Sequence, residues 1–235
     1  MKLARRLVNI PIRGLTGLAC HIDHAELARV PLQGPCILLG NHITWLDVPL
    51  LMTHLYPRRI IGLTKVEAWR NPFMGGLMNA WESIPLRRGE ADMGALHQAL
   101  ALLQEGGLLA VFPEGTRSWH GRMQKGQPGM VLLALHSRAP LLPIVHYGGE
   151  RLPANLKRLR RTDFHVVVGR PFHVDAGGAQ VTRQVRQQMT TEIMYQMAAL
   201  LPPAYRGCYS DLSAATETYL RFPPGSASNL LGRNY

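Results

Sequence analysis

Cys36-Ile37-Leu38-Leu39-Gly40-Asn41-His42-Ile43-Thr44-Trp45-Leu46-Asp47-Val48-Pro49-Leu50-Leu51-Met52 sets a histidine and a carboxylate between two apolar runs. The first run reads as a buried strand over 36–40 and the second as a helix over 44–55. On one continuous helix, His42 and Asp47 would point roughly 140° apart and could not meet. They meet if His42 lies in the strand-to-helix turn and Asp47 in the first helical turn. Thr44 is the expected N-cap, with Asp47 three residues on, close to a capping-box pattern. Leu46, Leu50 and Leu51 then face inward. Asp47 can hold one imidazole nitrogen, leaving the other to take a proton from a hydroxyl. An isolated His-x4-Asp is ordinarily a buried histidine satisfying one polar bond, so the rest of the chain has to decide.

Outward from this stretch, strands and helices alternate. Strands are expected at 58–63, 84–89, 108–112, 141–147 and 164–168, and helices at 91–104, 128–137 and 179–200. That pattern describes an α/β domain on a central, mostly parallel or mixed sheet flanked by helices. Pro143 inside its strand suggests an edge or a bulge. Residues 73–81 are apolar almost all round, fit for core or for the wall of a long acyl chain. After Pro202-Pro203 the periodicity fades, so a short helix near 211–220 and a loosely packed C-terminus are expected.

The 235 residues suit one large domain or two small ones, and an apolar fraction of 46% is that of a globular chain. A net charge of +11 favours an anionic partner: nucleic acid, an anionic membrane or a phosphorylated substrate. The cations are not interleaved with stacking aromatics, which argues against nucleic acid. Cys20, Cys36 and Cys208 form no Cys-x-x-Cys pair, so neither a disulfide framework nor a cysteine metal site is indicated. His21-Ile22-Asp23-His24 lacks further ligands at convincing spacing and reads as a solvated turn. No charge-free apolar run is long enough to span a bilayer. Residues 2–19 form a basic helix with an apolar face, bent or broken near Pro11, either packed on the domain or lying in a membrane interface. Five cations between Arg151 and Arg161 are a solvated face or a contact for lipid headgroups or a phosphorylated cofactor.

Three further stretches complete the pattern. Ile84-Pro85-Leu86-Arg87-Arg88-Gly89 ends a short strand in two cations. Phe112-Pro113-Glu114-Gly115-Thr116-Arg117-Ser118 is a charged turn after a buried strand, a usual site position in α/β sheets. Leu141-Leu142-Pro143-Ile144 carries a proline within an apolar strand. Together with Asn41–Asp47, in this order, they resemble the four blocks of the glycerolipid acyltransferase family, most closely the 1-acyl-sn-glycerol-3-phosphate acyltransferases. The resemblance covers about residues 22–175. Pro85 departs from the second block, where an aromatic or aliphatic residue is common.

The resemblance implies a glycerol-3-phosphate acyltransferase-like fold and transfer of a fatty acyl group from acyl-CoA or acyl carrier protein to a lysophospholipid hydroxyl, with no cofactor or metal. It implies His42 as base and Asp47 as its orienting acid. Arg88, with Arg87 as alternative, and Arg117 would grip the acceptor phosphate, with Gly115 and Thr116 letting the backbone approach. Glu114 is expected to hydrogen-bond the glycerol or brace Arg117; otherwise the two form an ion pair closing the turn. The organisation implied is a basic interfacial helix over 1–20, an acyltransferase domain over 21–200 and an extension over 201–235. The short N-terminus and a thioester donor imply peripheral attachment at the cytoplasmic face of a membrane, with no nucleic-acid partner. A different acceptor, or a non-catalytic basic membrane- or nucleic-acid-binding protein, are the competing expectations.

Overall fold

The computed structural model describes residues 2–89 and 92–232. In chain order the elements are α1 (Lys2–Ala19), β1 (Cys20–Ile22), α2 (His24–Leu27), β2 (Cys36–Leu39), α3 (Asp47–His54), β3 (Ile60–Lys65) and α4 (Pro72–Ala80). Then come β4 (Ile84–Leu86), α5 (Met93–Gln104), β5 (Leu108–Val111), α6 (Gly129–Ser137), β6 (Leu141–Tyr147) and α7 (Leu152–Lys157). The chain ends with β7 (Thr162–Val168), β8 (His173–Val174), α8 (Arg183–Ala198) and β9 (Leu220–Arg221). The helix expected from 91 starts at Met93; position 91 and the tail beyond 232 lie outside the described residues.

A seven-stranded sheet runs in the order β1-β7-β6-β2-β5-β3-β4. β6, β2, β5, β3 and β4 are parallel to one another, while β7 pairs antiparallel with β6 and parallel with β1. The mixed α/β sheet is thus the one expected. All four residues of β2 are buried because both faces are covered. Ile37 and Leu39 face a layer with α5, α6 and α8, while Cys36 and Leu38 face one with α3 and α4.

Several expectations need correction. Pro143 lies on neither an edge nor a bulge, for β6 is interior to the sheet. Its carbonyl accepts from Gly169 N–H, one residue past the end of β7, so its missing N–H falls where that ladder stops. Pro11 does not break α1, which runs as one helix from Lys2 to Ala19. The stretch from residue 201 is not loose: Leu201, Tyr209 and Leu220 join the core, and β9 pairs with β8. The fully buried Glu192 of α8 anchors that tail, accepting from Thr216 Oγ1, Thr218 N and Tyr219 N. The helix expected near 211–220 is only a 3-10 turn, Leu212–Ala214. His21, Asp23 and His24 are exposed, as expected of a solvated stretch, but the stretch is not a plain turn. Cys20–Ile22 pairs with β7, and Asp23 caps the Val166 N–H.

α1 is turned inside out. Leu3, Leu7, Ile10, Leu15 and Leu18 are exposed, whereas Arg5, Asn9 and Thr16 are buried. Arg5 donates to the Trp81 carbonyl and faces Glu82, Asn9 accepts from Trp81 Nε1, and Thr16 meets His54 Nε2 at 2.8 Å. Tertiary partners for the polar stripe therefore set the helix's rotation, and its leucines are left outside.

Candidate active site

β2 and β5 are parallel neighbours, so the loops at their C-terminal ends lie side by side. Backbone bonds tie these loops together: Ser118 N–H donates to the His42 carbonyl and Trp119 N–H to the Ile43 carbonyl, each at 2.9 Å. A Cβ on Gly40 would stand 2.7 Å from the Phe112 ring, so glycine is what lets the two strands' exits close up. Phe112 in turn packs on the His42 ring, with centroids 4.7 Å apart.

His42 Nδ1 lies 2.9 Å from Asp47 Oδ2. The same oxygen accepts from Ile43 N at 2.6 Å and Thr44 N at 2.8 Å, while Thr44 Oγ1 donates to Oδ1 at 3.1 Å. Asp47 is wholly buried, and four donors offset the loss of water around its charge. The helix begins at Asp47, not at Thr44, and Thr44 is not its N-cap. What survives of the capping box is its return arm, the Asp47 carboxylate reaching back to the Thr44 N–H. His42 Nε2 has no hydrogen-bond partner among the described residues, and His42 lines a cavity of 840 Å³.

That cavity is walled chiefly by apolar side chains. Met74, Leu77 and Met78 of α4 contribute to it, as do Ile12 and Leu15 of α1. Leu77 and Met78 also belong to the core, so residues 73–81 serve the core and the cavity wall alike. Arg88, Gly115, Thr116 and Arg117 all border the cavity; Arg87 does not. Arg117 Nε is buried without a hydrogen-bond partner among the described residues, and its guanidinium sits 5.5 Å over the Trp119 ring. Burial, with the nearby Arg117 charge, holds Arg88 below the usual arginine range against an opposing pull from Glu67. Two guanidinium groups that repel one another thus stand on the wall of the same cavity. Gly115 has φ +69°, a backbone conformation that suits glycine.

Glu114 is placed differently from expectation. It is buried beside the cavity wall without bordering the cavity, and among the described residues it forms no ion pair with Arg117. Its Oε1 accepts the His42 backbone N–H at 2.8 Å and its Oε2 accepts the Gln124 N–H at 2.7 Å. Burial pushes its carboxyl up to about 7, with Asp47 adding to the rise and the two N–H donors opposing it. It holds the loop that carries His42. Sequence reasoning missed His146, whose Nε2 is 3.2 Å from Asp47 Oδ1 on the side away from His42. The available signal was one imidazole in the otherwise apolar run of 141–146. Among the described residues no cluster of His, Cys, Asp or Glu could hold a metal ion.

Residues 21–147 match the protein-family model described as Acyltransferase. The chain is 26% identical over 169 residues to the 1-acyl-sn-glycerol-3-phosphate acyltransferase of Bacillus subtilis, covering 72% of this chain and 81% of that one. It is 36% identical to the lyso-ornithine lipid O-acyltransferase of Pseudomonas aeruginosa over 97 residues, 38% of this chain and 36% of the relative. Among solved structures, the 1-acyl-sn-glycerophosphate (LPA) acyltransferase of Thermotoga maritima superposes with a TM-score of 0.58 at 20% identity, over 80% of this chain and 76% of that one.

Proposed function

This chain belongs to the acyltransferase family, and from that premise we propose that it moves a fatty acyl group from acyl-CoA or acyl carrier protein to 1-acyl-sn-glycerol-3-phosphate, giving phosphatidic acid. The observation that carries the reading is the meeting of an Asp47-held imidazole, an apolar cavity and two guanidinium groups in one place. His42 Nε2 takes the proton of the acceptor hydroxyl as its oxygen attacks the thioester carbonyl carbon. The C–S bond then breaks, and the leaving thiolate receives that proton from the imidazolium. Asp47 stabilises the imidazolium between these steps. Arg88 and Arg117 take the acceptor phosphate, Gly115 and Thr116 border it, and Glu114 keeps His42 in place. The cavity beside α4 receives an acyl chain.

α1 supports attachment to a membrane surface. Its leucine stripe faces outward and its neighbours carry cations, the arrangement that seats a helix in an anionic leaflet. Among the described residues no helix is long and apolar enough to cross a membrane. A thioester donor places this contact on the cytoplasmic face.

A second reading, a phosphate-free lysolipid acceptor, is favoured by the 36% identity to the lyso-ornithine lipid relative. Purified protein given radiolabelled acyl-CoA and a panel of lysophosphatidic acid, glycerol-3-phosphate and lyso-ornithine lipid separates the two. Transfer should go chiefly to lysophosphatidic acid, and His42→Ala should lower it ~100-fold or more with the fold retained. Preference for the ornithine lipid, or near-normal turnover in the variant, would overturn the proposal.

A further inference from the structure

Asp47 has an imidazole on each side. Opposite His42 stands His146 of β6, wholly buried, with the Phe164 ring 5.0 Å away. Asn41 clamps it. Asn41 Nδ2 donates to the His146 carbonyl at 2.9 Å, and Asn41 Oδ1 accepts the His146 backbone N–H at 2.8 Å. Those two bonds settle which end of the amide is oxygen. The same oxygen lies 3.0 Å from His146 Nδ1, so Nδ1 carries a hydrogen. The second ring nitrogen, Nε2, is 3.2 Å from Asp47 Oδ1 yet makes no hydrogen bond to it. Burial moves the His146 ring below the ordinary histidine range; Asp47 and Glu150 pull it up, and His42 pushes it down. A neutral ring with its hydrogen on Nδ1 leaves a lone pair on Nε2, which lies close to Asp47 Oδ1 but out of line with it.

We propose that His146 is a positioning residue for the transfer: locked by Asn41 with its hydrogen on Nδ1, it denies Asp47 Oδ1 a second strong donor and so leaves the carboxylate's charge to His42. A donor in that place would share the charge and loosen its hold on a protonated His42. The inference rests on the reading of His42 as the base, but its first test does not. In uniformly 15N-histidine-labelled protein, long-range proton–nitrogen correlations distinguish the two neutral tautomers and the imidazolium. His146 should show the neutral Nδ1–H form at pH 7. An Nε2–H tautomer or an imidazolium at pH 7 overturns the proposal whatever the protein's activity, and the acceptor panel separately decides the reaction.

The second test is kinetic. His146→Gln keeps much of the volume and aims an amide N–H at Asp47; His146→Asn keeps a donor for Asn41 and removes the Nε2 position. The acid limb of kcat/KM should move to lower pH by about half a unit to one unit in the glutamine variant, and less in the asparagine variant. kcat should fall ~3–10-fold, with acceptor KM unchanged. A lowered unfolding midpoint with the acid limb unmoved would show a purely structural role and overturn the proposal.

Discussion

Asp47→Asn separates charge from scaffolding. Asp47 Oδ2 holds three donors, so the asparagine oxygen is drawn to that position and keeps the bonds to Ile43 N, Thr44 N and His42 Nδ1. The amide nitrogen then replaces Oδ1, 3.2 Å from His146 Nε2, an atom with no hydrogen-bond partner among the described residues. The fold and the His42 tautomer should therefore survive; the negative charge is lost, and with it only the acceptor for the Thr44 hydroxyl, which can turn to accept instead. A carboxylate about 4 Å from a forming imidazolium, at an effective dielectric near 20, contributes about 4 kcal/mol. Turnover should fall by about three decades. Asp47→Ala differs because it orphans every donor around a buried site. Its unfolding free energy should drop by ~3–5 kcal/mol as well. The assays are release of free CoA thiol in the presence of lysophosphatidic acid, and urea unfolding of both variants. Folded Asp47→Asn protein within about tenfold of native turnover would refute an electrostatic role for Asp47.

Other outcomes test the periphery of the site. Arg117→Ala should raise the acceptor KM ~10–100-fold with kcat little changed, since it removes charge-assisted bonds that hold substrate and transition state alike. A loss confined to kcat would move Arg117 into the chemistry. His54, the last residue of α3, is buried against Thr16 of α1, with Nδ1 3.1 Å from His24 Nε2, and burial, then the charges of His24 and Arg13, lower it to about 4. Between pH 6.5 and 4 only the unfolded chain takes up this proton. Stability is therefore present above pH 6.5 and lost as pH falls, by an amount on the order of 3 kcal/mol. Urea unfolding at pH 7 and pH 4.5 should show a smaller difference in His54→Gln, and an equal difference in both proteins would refute the argument.

Local chemistry explains which features are legible in the sequence. The strand–helix alternation is written in apolar periodicity, and His42 and Asp47 are close enough in the chain for one turn to bring them to 2.9 Å. Glu114 is harder to read, because what occupies its oxygens is backbone N–H, which no residue pattern reports. His146 is hidden for a related reason: its meaning depends on β6 lying beside β2, a matter of strand order. The rotation of α1 is equally silent. Both of its stripes are regular, and only Trp81, Glu82 and His54, far along the chain, decide that Arg5, Asn9 and Thr16 turn inward. The packed C-terminus escapes periodicity because it is held by short turns and by side chains such as Glu192, not by a helical face.

The outward leucines of α1 belong to the same helix that supplies Ile12 and Leu15 to the cavity wall. With that helix sunk in a leaflet, hydrocarbon tails can slip sideways from bilayer to protein without meeting water. Only the polar head and the thioester need approach from the aqueous side. Greasy reactant and greasier product would then share one doorway, and the desolvation that makes long-chain lipids slow to travel would never be incurred.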